Sequence, residues 1–342
     1  MALVLGAGKM GRAIAYDLMK NGIEVRICDV MQANFPNFFI LDVRDEKRLI
    51  EEMRKEDIAI SALPYDFNYR IARVAIRTKT NFIDLGGNSH VVKKELKLHE
   101  KAKEAKITII PDCGLAPGMT NIISYEIWRN GAREIHIRVG GLPQHPEEPL
   151  NYALFFSIHG LINEYVEDSI VVREGRVMKK ESLTGLEKIK FDGFPEMEAF
   201  YTHGGTSTLP ETLYGIEELD YKTIRYEGHC EKIALLKKLG FFDGQAREFT
   251  EKILEKALPK NKKDVVLARI YGNDEKMELI DYYDEKNVFS AMARTTGFST
   301  AIIAKMILDG EIKEGAFPPE ICVDFQKFIK ELKKRKIVWR KG

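Results

Sequence analysis

Along the first third of the chain, short apolar runs alternate with segments whose apolar residues recur at helical spacing. The runs Ala2 to Leu5, Glu24 to Cys28, Phe38 to Leu41, Ile58 to Ala62, Asn81 to Asp84 and Ile107 to Ile110 are predicted strands. The segments between them, typified by Ile14, Leu18 and Met19, are predicted helices. Such a βαβ series implies an α/β fold with a doubly wound parallel sheet of Rossmann type. After Pro117-Gly118 the pattern changes. A helix is expected from about Thr120 to Trp128, then an alternating strand from Glu134 to Val139, and then a loop through Gly140-Gly141-Leu142-Pro143. The alternation predicts a sheet with one solvated or interface face. Hairpins are expected between Ile170 and Phe194, turning near Glu174-Gly175, and a strand from Tyr221 to Tyr226. A long helical tract resumes near Gly297, and a last helix, about Glu320 to Lys336, is basic at its end, as the macrodipole favours.

Composition narrows the function classes. The chain has 342 residues, of which 44% are hydrophobic and 31% charged, enough for two moderate cores and incompatible with disorder. Lys and Arg number 53 against 52 Asp and Glu, so the net charge of +1 gives no reason to expect a nucleic-acid partner. Cys28, Cys113, Cys230 and Cys322 lie far apart with no CxxC pair, which speaks for a reducing compartment and against a metal site or a disulfide scaffold. The opening run Ala2-Leu3-Val4-Leu5 has no basic stretch before it, and no segment approaches the roughly 18 apolar residues that span a bilayer. A cytoplasmic protein with no membrane partner is expected. Glutamine occurs only at Gln32, Gln144, Gln245 and Gln326 while Lys and Glu abound, a bias shared with thermophilic proteins.

The most informative motif is Gly6-Ala7-Gly8-Lys9-Met10-Gly11, which follows a predicted strand and opens a predicted helix. In that setting Gly6 permits the tight turn, Gly8 lets the backbone approach a pyrophosphate, and Gly11 permits close helix packing, while the helix N-terminus offers amides and a positive dipole to phosphates. The next strand ends at Asp29, spaced to accept hydrogen bonds from both adenosine ribose hydroxyls. A carboxylate there repels a ribose phosphate, and Val30 and Met31 offer no cation to receive one, so NAD is the expected cofactor. A glycine-rich turn in a non-binding α/β protein is the alternative. Asp42 and Val43 end the third strand and are expected to border the adenine, although Asp42 suits equally well as N-cap of the following helix. Ala62-Leu63-Pro64 and Asp84-Leu85 close the fourth and fifth strands at their carboxyl ends, where ligands of open α/β sheets lie.

Taken together, several motifs resemble the saccharopine dehydrogenase-like family, and within it most closely the L-lysine 6-dehydrogenases. They are Gly6 to Gly11, Ser61-Ala62-Leu63-Pro64, Asp112-Cys113-Gly114-Leu115-Ala116-Pro117-Gly118, Gly141-Leu142-Pro143, Asn163-Glu164-Tyr165, Thr223-Ile224-Arg225-Tyr226-Glu227-Gly228-His229 and Ala293-Arg294-Thr295-Thr296-Gly297-Phe298. The Gly-Leu-Ala-Pro-Gly turn and the Arg-Tyr-Glu-Gly-His stretch are far more restrictive than the first motif. The resemblance implies a NAD-binding Rossmann domain over residues 1–118 plus 295–342, with an inserted α+β domain over 119–294 that binds substrate and forms a homodimer. The reaction it implies is NAD-dependent oxidative deamination of L-lysine at the ε-carbon, giving allysine, which cyclises, together with ammonia and NADH. The alternatives are an imine reductase of the saccharopine reductase or carboxynorspermidine synthase type and, in another class, a non-catalytic NAD-binding sensor.

Oxidising an amino acid at carbon requires a cation for its carboxylate and a base for its amine. Arg225 and Arg294 are the carboxylate candidates, each beside turn glycines, with a structural salt bridge as the alternative. Asp112, after the sixth strand, is expected to serve as base, to anchor an ammonium, or to cap the helix that follows. His203 and His229 each stand beside glycine, and an imidazole titrates near neutrality as a proton relay needs; at least one is expected to touch substrate, with a hydrogen-bonded loop histidine as the alternative for each. Glu164 is expected to pair with the substrate ammonium or with an arginine. Cys113 is expected to be a packed thiol.

Overall fold

The computed structural model describes residues 1–260 and 262–342, which divide into two compact units, Met1–Ile123 with Ala293–Ile337, and Ser124–Met292 with Val338–Gly342. Among the described residues, no helix is long and apolar enough to cross a membrane.

In the first unit, Ala2–Leu5, Ile58–Ser61 and Thr108–Ile110 are buried along their whole length, the pattern of strands covered by helices on both faces. All neighbours pair in parallel, in the order Gly315–Ala316, Thr108–Ile110, Asn81–Asp84, Ile58–Ser61, Ala2–Leu5, Val25–Asp29, Phe38–Ile40. The strand order reverses around Ala2–Leu5, so the turn after Leu5 sits at the topological switch point, where such sheets bind ligands. Gly315–Ala316 joins the edge late in the chain, a strand too short to show a sequence period. The C-terminal segment is also tied in by charge. Arg335 Nε reaches both oxygens of the buried Asp17 on the first helix, Lys9–Lys20, at 2.9 and 2.8 Å.

The final helix is not continuous from Glu320 to Lys336 as its pattern suggested. A single turn, Pro319–Cys322, is followed by extended Val323, and Asp324 then caps a new helix, Phe325–Lys334, by accepting the Lys327 N–H at 2.8 Å.

The second unit is built on a mixed sheet in the order Glu187–Ile189, Met197–Tyr201, Glu218–Tyr226, Glu134–Pro143, Asp264–Gly272, Glu275–Tyr282, Arg340–Lys341. The tail therefore pairs here, with Glu275–Tyr282, and not in the first unit where residues 338–342 had been expected. The hairpin Ser169–Arg173 with Arg176–Lys180 attaches through Val172 to Leu219. Gly140 to Pro143, expected as a loop, continue the strand that begins at Glu134. Its first residues pair on both sides, and from Gly140 to Pro143 the ladder with Asp264–Gly272 continues and outweighs the weak strand preference of the glycines. One apolar cluster gathers Leu142, Met197, Ile224 and Leu267, and another packs the helix Ile158–Val166 with Tyr152, Phe155, Phe200 and Ile233.

Candidate functional site

The glycine-rich turn of the first unit is shaped by lack of room. Gly6 has φ +102°, and a Cβ on it would lie 2.9 Å from the Ala62 carbonyl oxygen and 3.2 Å from Leu63. A Cβ on Gly11 would strike the Gly6 carbonyl, so helix and strand can only meet this closely with glycine at both places. Gly8 stands at the N-cap of Lys9–Lys20 with open space where a side chain would project, and Lys9 and Met10 begin the helix beside it. Arg12 Nε donates to the Ala7 carbonyl at 2.8 Å and braces the turn. Asp29, at the tip of Val25–Asp29, accepts the Ala7 N–H at 2.8 Å and the Met31 N–H at 3.1 Å, so its carboxylate is oriented by backbone alone. This cradle fits a dinucleotide: Gly6, Gly8 and Gly11 leave room for the pyrophosphate at a helix N-terminus, and Asp29 stands where a ribose would follow.

The other residues expected around the cofactor divide. Pro64 is exposed, Ala62 and Leu63 are half-buried against Gly6, Val43 is buried and Leu85 is half-buried. Asp42 is half-buried and pairs with Arg44 at 2.7 Å, which holds its carboxyl down at about 2. It is not the N-cap of the helix Glu46–Met53; that role belongs to Asp45, which accepts the Arg48 N–H at 3.2 Å. Asp84 turns inward. It is completely buried and accepts the Gly86 N–H at 2.6 Å, so its carboxyl serves the loop around it. Asp112 is buried with φ +59°, and its N–H donates to Asp84 at 3.4 Å. Cys113 is a buried thiol donating to Ile110, held in its protonated form by burial. Arg294 donates to the Arg335 carbonyl at 3.2 Å and lies over the Phe298 ring.

In the second unit a different cluster forms around Arg225. Strand Glu218–Tyr226 places Tyr221, Thr223 and Arg225 on one face by its period of two. Helix Ile158–Val166, capped by Ser157, buries Leu161, Ile162 and Tyr165 and leaves Glu164 partly exposed beside them. Glu198, directly opposite Arg225 in the neighbouring strand, accepts the Gly228 N–H at 3.0 Å and the Cys230 N–H at 2.6 Å, which fixes the turn carrying His229.

The guanidinium of Arg225 is buried and met on several sides. Nη1 donates to the Ile224 carbonyl at 2.9 Å, Nε to the Tyr165 hydroxyl at 3.3 Å and Nη2 to Glu164 at 3.4 Å, and the group lies 4.6 Å from the Tyr152 ring centre. His229 Nδ1 is 2.8 Å from the Leu150 carbonyl, and Nε2 is 2.9 Å from the Tyr165 hydroxyl. A carbonyl can only accept, so Nδ1 carries the hydrogen and the phenol donates to Nε2. Burial, reinforced by the Arg225 charge, pushes the imidazole down to about 3. His229 is therefore neutral at ordinary pH, in place of the near-neutral titration its type suggested. Burial pushes Tyr165 up to about 12, and it pushes Glu164 up to about 7 against the pull of Arg225. The group of this cluster that titrates near neutrality is a carboxyl.

His203 is held elsewhere. Its Nδ1 is 2.8 Å from the Asp168 carbonyl and its Nε2 is 3.0 Å from Glu167, while its backbone N–H donates to the Glu164 carbonyl. Tyr165 and Tyr152 join the cluster without having been singled out as functional. Tyr152 follows an irregular Pro-rich segment that carries no period, whereas Tyr165, three residues after Ile162 and four after Leu161, follows the helical spacing of its buried face. Among the described residues no group of three or more His, Cys, Asp or Glu is placed to hold a metal ion.

Residues 2–110 match the model of the saccharopine dehydrogenase NADP binding domain, and residues 114–338 that of the saccharopine dehydrogenase C-terminal domain. The chain belongs to the saccharopine dehydrogenase family. Within this family, the saccharopine dehydrogenase (NADP(+), L-glutamate-forming) of Pyricularia oryzae is 26% identical over 286 residues, covering 75% of this chain and 60% of that protein. The mitochondrial alpha-aminoadipic semialdehyde synthase of Mus musculus is 24% identical over 427 residues, covering 93% of this chain and 45% of its own length. The chain thus spans about half the length of these curated relatives. The solved apo saccharopine dehydrogenase (L-Glu forming) of Saccharomyces cerevisiae matches 100% of this chain and 99% of its own at a TM-score of 0.80 and 20% identity, which shows a shared fold. The family members that the chain resembles are named as dehydrogenases of the amino-acid derivative saccharopine.

Proposed function

We infer that this member of the family oxidises L-lysine at its ε-carbon with NAD and water, giving allysine, ammonia and NADH. The observation that carries this reading is the Arg225–Glu164 pair, a buried cation and a partly exposed carboxylate 3.4 Å apart, the carboxyl pushed up to about 7 by its surroundings. Lysine brings one carboxylate and one distal amine, and the pair offers one partner of each sign. Saccharopine carries two more carboxylates and would call for further cations.

In this reading Arg225 receives the substrate carboxylate, its guanidinium held in plane by Ile224, Tyr165 and Tyr152. Glu164 takes up the proton that the amine or the attacking water gives away, and neutral His229 orients the Tyr165 phenol from behind. In the first unit, Gly6, Gly8, Lys9, Met10 and Gly11 would hold the pyrophosphate, and Asp29 the adenosine ribose. Bound NAD supplies the oxidising equivalent. Asp29 supports NAD over NADP, since a phosphate on that ribose would meet a carboxylate already aligned by two backbone N–H groups. Asp112 is the first unit's candidate for proton transfer or ammonium binding. Pairing of two copies through the second unit's sheet accompanies this reading and is tested by sedimentation.

A second reading has its own support: the relatives are named as NADP-dependent saccharopine dehydrogenases, which favours a saccharopine-type reductase. The deciding experiment follows nicotinamide absorbance with purified protein in four arms, lysine or saccharopine with NAD or NADP. NADH formed from lysine, rising toward alkaline pH because the ε-ammonium (pKa about 10.4) must lose a proton, supports the first reading. Turnover confined to saccharopine overturns it, and silence in every arm with NAD still bound moves the chain to the sensor class.

A further inference from the structure

Two carboxyl groups are buried against each other in the first unit. Asp84 ends the strand Asn81–Asp84, and Glu95 lies on the helix Ser89–Leu96; neither has any exposed surface, and the two carboxyls are close enough for each to perturb the other. Asp84 Oδ1 accepts the Gly86 N–H at 2.6 Å and the Asp112 N–H at 3.4 Å, and the Asp84 carbonyl accepts the Cys113 N–H at 2.8 Å. Asp84 Oδ2 and both oxygens of Glu95 are buried and receive no N–H or O–H among the described residues. Two carboxylates in that position would be two acceptors facing one another with no donor. One proton placed between them makes one group the donor, satisfies both, and halves the buried charge.

Glu95 is the better seat for that proton. Asp84 already has backbone donors that favour its ionised form, whereas Glu95 is pushed far up by burial and then by the charges of Asp84 and Asp112. The titratable groups that face this pair are Asp112 and the Cys113 thiol, both from the segment after Thr108–Ile110.

What the pair holds is the conformation of Asp112. That residue sits in the left-handed region at φ +59°, uncommon outside glycine although aspartate tolerates it better than most, and its neighbours hold it there. The enforcing contacts run through Asp84: its side chain takes the Asp112 N–H, its carbonyl takes the next N–H, and a Cβ on Gly86 would run into the Asp112 carboxyl. A shift of Asp84 is thus passed on to Asp112 by direct contact.

We propose that Glu95 is a protonated acid that donates to Asp84 and, through it, positions Asp112 for its part in the reaction. The proposal deepens the reading of Asp112 above and rests on it for its catalytic consequence, while the protonation itself stands independently.

The test uses the full chain labelled with 13C at glutamate carboxyl carbons, titrated by NMR. One glutamate signal stays unshifted from about pH 5 to 9 and is missing from Glu95→Gln. In Asp84→Asn, which removes the neighbouring charge, that signal moves toward the ordinary carboxylate range. A Glu95 carboxyl that ionises in the ordinary range overturns the proposal. For the positioning role, Glu95→Gln, which keeps a neutral donor, retains the wild-type pH profile and kcat with lysine and NAD. Glu95→Ala loses about a hundredfold in kcat, the scale of a misplaced reacting group, with NAD affinity kept. Equal loss in both variants overturns the positioning role. The NMR arm needs no turnover, so a failure of the lysine reading and a failure of this proposal are told apart.

Discussion

Tyr165 and His229 share a 2.9 Å hydrogen bond whose direction is decided on the far side of the imidazole, where the Leu150 carbonyl holds Nδ1 at 2.8 Å. The phenol must therefore donate to the ring and present a lone pair to Arg225 Nε. The chain Arg225, Tyr165, His229, Leu150 is a set of donors all pointing one way, and it ties the arginine's orientation to a turn fixed by Glu198.

Tyr165→Phe removes the donor to a buried imidazole nitrogen and the acceptor for Arg225 Nε. It should destabilise the protein by about 1–3 kcal/mol, the cost of buried polar groups left unmade, seen as a lower urea midpoint with an unchanged slope.

Glu164→Gln should remove the inflection of kcat/KM near neutrality and leave the alkaline rise set by the lysine ε-ammonium. In the native protein the carboxyl, raised to about 7 by burial, is deprotonated above that pH and loses its basic form as pH falls through it. The variant should lose about a hundredfold in kcat with lysine and show no inflection near neutrality. A pH profile recorded for both proteins checks this.

Asp29→Ser should lower kcat/KM for NAD about tenfold, the equivalent of one charge-assisted hydrogen bond to the ribose, and raise it for NADP by removing the repelling carboxylate. Steady-state kinetics with both cofactors read the ratio. An unchanged ratio would show that Asp29 does not face the ribose.

Asp264 accepts the Ala291 N–H at 2.7 Å and the Met292 N–H at 2.9 Å at the head of the helix Ala291–Leu308, yet burial raises its carboxyl to about 6. The folded chain then binds a proton more tightly than the unfolded one between their two pKa values. Its contribution is full below the ordinary carboxyl value of 3.8 and is lost as pH rises through about 6. Asp264→Asn should flatten stability against pH in that interval, measured by denaturant unfolding at several pH values.

The sequence determined on its own whatever depends on local pattern. Six strands of the first unit, the turn Gly6 to Gly11 and Asp29 at the next strand end follow from apolar runs, helical spacing and glycines that neighbouring backbone leaves no room to replace. Arg225 and His229 could be singled out because they lie in a dense motif beside a turn glycine. Tertiary structure alone decided what depends on neighbours far along the chain. Gly140 and Gly141 form strand because the long strand Asp264–Gly272 extends the ladder to them, opposite Leu267 and Val266. Asp84 faces inward because Glu95, Gly86 and Asp112 converge on it, and Glu95, three residues after buried Val92, is buried on the same face of its helix although Lys93 and Lys94 precede it. The same holds for protonation. A histidine's ordinary pKa is a property of its side chain, but His229 is neutral and Glu164 titrates near 7 because burial and a neighbouring guanidinium set the energy of charge, and only the folded chain creates either.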